Sequence, residues 1–255
     1  MSVGADVTSL VVLLVVAVTL GMRPAFLPYA TGAVRWGAAL AGALGLLASI
    51  VVHELGHALV ARAVGVEVSR ITLFLFGGVA ELNSEPIHPW RDAVTTIAGP
   101  LSTGVLLLLL LVLANGAASW QGVVGAAAFT VLQYLLTINL IIALFNLLPG
   151  FPLDGGRLLR ALLWRLRGDY RWATRVAARV GAGVAVGLIA LGVGSALFDG
   201  IRVGGLWSVL LGMFLLRVSL QTVRAYAPVA APGGGAMPMP AEAEAGNDPS
   251  SHHPR

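Results

Sequence analysis

Residues 46–60 read Leu46-Leu47-Ala48-Ser49-Ile50-Val51-Val52-His53-Glu54-Leu55-Gly56-His57-Ala58-Leu59-Val60. The stretch is apolar enough to cross a membrane, yet it holds three ionisable side chains within five residues. On a helix, residues four apart share a face, so His53 and His57 are placed to grip one metal ion. Glu54 projects beside them, where a carboxylate can take a proton from water polarised by that metal. The H-E-x-x-H spacing is one that zinc metalloproteases use. Ionisable groups inside a bilayer are costly and usually functional. The chain has only 5 histidines, and two of them fall in this pentapeptide.

Composition agrees with a membrane setting. The sequence is 57% hydrophobic and 11% charged, with a mean hydropathy of +0.86. Runs such as 11–16 and 106–111 belong to segments near the ~20 residues that span hydrocarbon. An integral, multi-spanning protein of the cell membrane is expected. With no cysteine, disulfides, thiolate zinc sites and cysteine nucleophiles are all excluded. Any metal must be held by His, Asp or Glu. Every basic residue is Arg, and the net charge of +4 arises mostly from residues 157–179, which hold seven of them. That charge reports membrane orientation, not nucleic-acid binding. Residues 1–6 carry no basic residue, so no cleavable signal peptide is expected.

Six segments are expected to span: about 7–22, 34–64, 93–113, 123–148, 180–198 and 203–220. Between the second and third, Val66 to Leu73 is β-branched and alternating, and Phe74 to Phe76 lead into Gly77-Gly78. This reads as short strands with a Gly-Gly turn, followed by a polar loop over 81–92. The fold class is therefore all-α and polytopic, with about six transmembrane helices and a small β element between helices two and three. Residues 1–225 are expected to form one domain with a core at about 34–164. Residues 226–255, rich in Pro, Gly, Ala and small polar residues, are expected to be a disordered tail holding His252 and His253.

Orientation follows from the arginines. The positive-inside rule puts the stretch 157–179, read as a loop, in the cytoplasm. Segments two and four then both exit on that side. His53 and His57 therefore lie at a depth similar to that of the residues just after Leu148. Those residues are the second informative run, Asn146-Leu147-Leu148-Pro149-Gly150-Phe151-Pro152-Leu153-Asp154-Gly155-Gly156-Arg157. Its prolines and glycines break the helix and free backbone groups that lipid cannot satisfy, so it should line a polar cavity or pack on protein. Asp154 is the only acidic residue between Asp92 and Asp169. A catalytic zinc takes three protein ligands and keeps one open position, which His53, His57 and Asp154 would supply. Spacing alone slightly favours the plainer reading, in which Asp154 caps the helix that begins near Gly155.

His53–His57 together with Phe145-Asn146-Leu147-Leu148-Pro149-Gly150-Phe151-Pro152-Leu153-Asp154-Gly155-Gly156 resembles the site-2 protease family of intramembrane zinc metalloproteases. Gly77-Gly78 and Gly99-Pro100 are similar to that family too, and the resemblance covers about residues 34–164. It implies that His53, His57 and Asp154 hold one Zn2+ per chain and that Glu54 is the catalytic acid and base. It also implies that Asn139 and Asn146 lie near the active site, where Asn139 would orient substrate or polarise the scissile carbonyl. Asn146 would support the loop before Pro149, and the resemblance further implies that the small β element lies at the cytoplasmic face, where an unwound substrate could pair with its edge. The plainer reading of both is hydrogen bonding between helices.

The expected function is intramembrane endoproteolysis of transmembrane proteins, such as membrane-tethered transcription regulators or anti-sigma factors, with the active site toward the cytoplasm. An inactive homologue that binds membrane segments as an adaptor would have lost ligands, and Glu54 and Asp154 are intact. A metal transporter would need ligands across the membrane depth, and segments five and six have no internal acid or histidine. Neither the PDZ domain nor the CBS pair that many family members carry is expected from this sequence. The longest polar loop is 81–92, and about thirty tail residues cannot form a CBS pair. Arg157 is read as the start of the positive cluster, His88 as an interfacial residue, and Gly181, Gly183 and Gly187 as close helix packing.

Overall fold

The computed structural model describes residues 2–5, 7–28, 30–66, 68–74, 77–82, 88–199 and 203–227. The last 28 residues, with His252 and His253, lie outside them, so the expected disorder of the tail does too. Among the described residues seven α-helices carry the fold: α1 (Val7–Gly21), α2 (Gly32–Ala63), α3 (Pro89–Ala117), α4 (Gly122–Asn146), α5 (Asp154–Arg167), α6 (Tyr170–Asp199) and α7 (Val203–Ala225). Of these, α2, α3, α4, α6 and α7 are long and apolar enough to cross a membrane. The expected count was about six. At 15 residues α1 rises about 22 Å, short of ~30 Å of hydrocarbon.

Interior and exterior are inverted relative to a water-soluble bundle. Small and polar residues fill the interior, among them Ala39, Ala43, Ser49, Thr96, Ala98 and Thr103. Leu101, Val105, Leu108 and Val112 of α3 point outward. Lipid is as apolar as leucine, so helices gain by bringing small residues together and leaving large ones to the acyl chains. One cluster of large residues remains inside, where Leu46 of α2, Leu110 of α3 and Leu135 of α4 meet.

The segment between α2 and α3 contains β2 (Val68–Phe74) paired antiparallel with β3 (Gly77–Leu82). A strand that the sequence reading did not anticipate, β1 (Ser2–Ala5), adds in parallel to β2, so the sheet order is β1-β2-β3. Gly77 and Gly78 are not the turn. They pair with Phe74 and Leu73 as part of β3. The expected polar loop is shorter than 81–92, because α3 begins at Pro89 with His88 as its cap; the His88 ring accepts from the Trp90 N–H at 3.2 Å.

The arginine-rich stretch is not a loop. It forms α5 and the start of α6, because Leu158, Leu159, Leu162 and Leu163 recur among the arginines at helical spacing. Arg165 and Arg167 in the last turn of α5 complement its C-terminal dipole. Gly168 ends the helix at φ +75°, the left-handed conformation that glycine adopts without strain. The loop before α5 is clamped by α6 and α7. The Phe151 N–H bonds to the Ala177 carbonyl, and Ser219 Oγ donates to the Phe151 carbonyl at 2.8 Å. Gly181 touches that loop, whereas a Cβ on Gly183 or Gly187 would meet nothing within 4 Å. Of the three glycines expected to pack closely, only Gly181 does.

Candidate metal centre

His53 lies ten residues before the end of α2, about 15 Å from it along the axis. His57 follows one turn later, and the two rings meet edge to face with centroids 4.9 Å apart. Asp154 opens α5, and its carboxylate is turned to the histidines. Oδ2 lies 3.1 Å from His53 Nε2 and 3.4 Å from His57 Nε2. The two Nε2 atoms are 3.2 Å apart. All three residues are buried. The helix-cap alternative for Asp154 is not used: Leu153 is the N-cap residue of α5, and no side chain caps the helix.

Whether a metal fits can be judged from this triangle. Ligands about 2.05 Å from a tetrahedral zinc are about 3.3 Å from one another. The observed edges of 3.1, 3.2 and 3.4 Å describe one face of such a tetrahedron. Tautomers agree with it. His57 Nδ1–H donates to the Thr95 carbonyl at 2.8 Å, which leaves a lone pair on Nε2. His53 Nδ1 is 2.8 Å from Thr103 Oγ1, a partner that serves the same tautomer. Three potential donor atoms then converge, an arrangement that a shared cation satisfies. Burial pushes the Asp154 carboxyl upward, but the facing His53 and His57 rings more than offset this and hold it below the ordinary carboxylate range. The donor set is thus two imidazoles and one carboxylate. Among the described residues this is the one group of three or more His, Cys, Asp or Glu arranged to hold a metal.

Thr95 and Thr103, which the sequence reading did not single out, support the two imidazoles from α3. A signal was available. Gly99 and Thr103, four residues apart, put a small and a polar residue on one face of a mostly apolar helix, whereas Thr95 acts through its main-chain carbonyl, which no side-chain pattern reveals. Gly99 sits under His57, whose ring occupies the space a Cβ would take. Gly56 likewise lets α2 approach α3, since a Cβ there would lie 2.7 Å from the Ala98 carbonyl. Gly155 and Gly156 let α5 nest against the backbone of Leu147, Leu148, Gly150 and Phe151. Both glycines of the Asp154-Gly-Gly run are therefore required by close backbone approach.

Glu54 is buried beside the histidines on α2. Asn139 of α4 is buried, and its Nδ2 donates to Ser49 Oγ at 3.0 Å and to the Leu135 carbonyl at 2.8 Å. Ser49 is one turn before His53, so Asn139 braces the ligand helix. Its amide protons are committed to the bundle, leaving its oxygen for anything further. Asn146 is the last residue of α4 and is half-buried at the start of the loop. Arg157 approaches Asp92 at 3.8 Å, and Arg160 binds Asp92 more closely.

The family model described as Peptidase family M50 matches residues 41–127 and 116–189. A protein of Synechocystis sp. named as a candidate zinc metalloprotease is 41% identical over 82% of this chain and 54% of its own length. A similarly named protein of Mycobacterium tuberculosis, Rip3, is 44% identical over 74% of this chain and 47% of its own. The chain thus spans about half the length of these curated relatives. The solved structure of a site-2 protease from Methanocaldococcus jannaschii superposes with a TM-score of 0.57 at 27% identity, covering 90% of this chain and 92% of that one.

Proposed function

The chain belongs to peptidase family M50, the site-2 proteases, and from that membership we propose that it is an intramembrane zinc endopeptidase cutting transmembrane segments. The observation that carries this reading is the triangle of His53 Nε2, His57 Nε2 and Asp154 Oδ2. Two of its corners, His53 of α2 and Asp154 of α5, are 101 residues apart in sequence.

Zinc held by two neutral imidazoles and one carboxylate would keep a net positive charge, lower the pKa of the attacking water toward ~7 and polarise the scissile carbonyl. Glu54 accepts the proton from that water and passes it to the leaving amide nitrogen. Thr95 and Thr103 hold the imidazoles in the tautomer that leaves Nε2 free to bind metal. Asn139 keeps α2 and α4 in register through Ser49, and its amide oxygen is left to accept a substrate N–H. Asn146 steadies the loop that leads to Asp154.

A substrate helix hides its carbonyls in i to i−4 bonds, so the cut falls where helix-breaking residues expose the backbone. An unwound segment can add to the free edge of β3, because β2 lies between β1 and β3. The seven arginines of α5 and α6 orient this end of the bundle toward the cytoplasm. Water then reaches the centre from that side. Membrane-tethered regulators and anti-sigma factors are substrates of the required form.

The test is cleavage in proteoliposomes of a labelled transmembrane peptide containing Asn-Pro or Gly-Gly breaks, followed by mass spectrometry. Wild type should yield products cut near the break and Glu54→Gln should yield none, with both proteins zinc-loaded. Zinc-loaded wild type that binds such peptides but never cuts them would favour the adaptor reading.

A further inference from the structure

The strongest feature that catalysis leaves unused is a buried ion pair. Asp92, in the first turn of α3, is 3% exposed, and Arg160 of α5 is 6% exposed. Arg160 Nε lies 3.0 Å from Asp92 Oδ2, and its Nη2 lies 2.8 Å from both carboxylate oxygens. The guanidinium also lies over the rings of Phe151 and Tyr170, at 5.8 and 5.2 Å from their centroids. One side chain thus ties α3, the loop before α5 and the start of α6 together. The sites are 68 residues apart in sequence.

The position of this pair gives it consequence. The histidines stand on α2, but α5, which carries Asp154, packs mainly on α3 and α6 rather than on α2. Asp154 must therefore be located relative to the histidines through α3. That helix already fixes both imidazoles, at Thr95 and Thr103. Asp92 lies three residues before Thr95 on α3, and Arg160 lies six residues after Asp154 on α5. A planar fork held by a carboxylate fixes both distance and angle, which a hydrophobic contact does not.

Resting on the zinc reading above, we propose that Asp92 and Arg160 are a positioning pair for the metal centre. They set the placement of the Asp154 carboxylate against His53 and His57 and so set zinc affinity. Neither touches the metal. Metal–ligand distances tolerate only about 0.2 Å, so a modest slip of α5 along α3 detaches the third ligand while the bundle stays folded.

The test is zinc affinity by chelator competition in the full-length detergent-purified protein, for wild type, Asp92→Asn, Arg160→Lys, Asp154→Ala and each pair with Asp154→Ala. Circular dichroism of the metal-free proteins is read alongside. Asp92→Asn and Arg160→Lys should each weaken zinc by about 10–100-fold, as loss of an outer partner does, with helical content retained. In the Asp154→Ala background neither should weaken it further, because the pair acts through that carboxylate. Arg160→Lys keeps the charge and the fold, so it carries the test should Asp92→Asn misfold. Unchanged zinc affinity in Asp92→Asn and Arg160→Lys would overturn the proposal. So would losses that persist at full size without Asp154. An Asp154→Ala protein that binds zinc like wild type would instead overturn the three-ligand reading on which the proposal stands.

Discussion

Replacing Gly99 by alanine is expected to cost the chain its zinc while leaving α3 intact. The added Cβ would lie 2.8 Å from His57 Cδ2 and closer still to Cε1 and Nε2. Ordinary carbon–carbon contact is about 3.5–4.0 Å, so the ring must retreat by about 1 Å. A metal ligand has a latitude of about 0.2 Å, roughly a fifth of that. His57 cannot both clear the methyl and keep Nε2 in the triangle, because its Nδ1 is fixed at 2.8 Å from the Thr95 carbonyl. Disturbing an outer partner costs about 10–100-fold in metal affinity, and displacing a ligand outright should cost at least ~100-fold. The helix itself should not suffer, since alanine is favoured over glycine in a helix by up to ~1 kcal/mol. Gly104→Ala, five residues on in the same helix, is the matched control, because its Cβ would meet nothing within 4 Å. Zinc affinity, peptide cleavage and thermal unfolding should be measured on both. The reasoning predicts loss of zinc and cleavage in Gly99→Ala alone. A Gly99→Ala protein with wild-type zinc affinity would refute it.

Other expected outcomes follow from the same geometry. Glu54→Gln should bind zinc like wild type but lower kcat by about 10²–10⁴-fold, as loss of a general base does; stopped cleavage assays with parallel metal analysis check it. Thr103→Val removes the hydroxyl beside His53 Nδ1 and should weaken zinc by about 10–100-fold, read by chelator competition. Gly155→Ala drives a Cβ into the carbonyls of Leu147 and Leu148, so it should lower stability by about 1–3 kcal/mol as well as zinc affinity, read by denaturation of the metal-free protein. Gly168→Ala strains only the left-handed cap of α5, costs about 1 kcal/mol or somewhat more, and should leave zinc binding unchanged.

The spans that carry the site were legible because an apolar run of ~20 residues has few alternatives to a membrane helix. The ligand helix was marked by His53 and His57 at i and i+4. Asp154 stood out as a lone acid beside helix breakers, although choosing between ligand and cap needed its carboxylate in three dimensions. The stretch 157–179 was misread because charge was weighed before period. Leu158, Leu159, Leu162 and Leu163 recur at helical spacing among the arginines. Asp92 and Arg160 were invisible for another reason. Their pairing is made by the packing of α5 on α3, and no spacing rule connects residues 68 apart. Strand β1 lay equally beyond reach, because Ser2–Ala5 is a short segment whose partner, β2, follows more than sixty residues later.

The most direct test of the account is zinc per polypeptide in detergent-purified protein after repletion, for wild type, His53→Ala, His57→Ala and Asp154→Ala. One metal site built from two helices predicts about one zinc in wild type and its loss or marked weakening in all three variants. Wild type without zinc, or an Asp154→Ala protein that holds it as tightly, would contradict the claim that these three side chains form one metal centre.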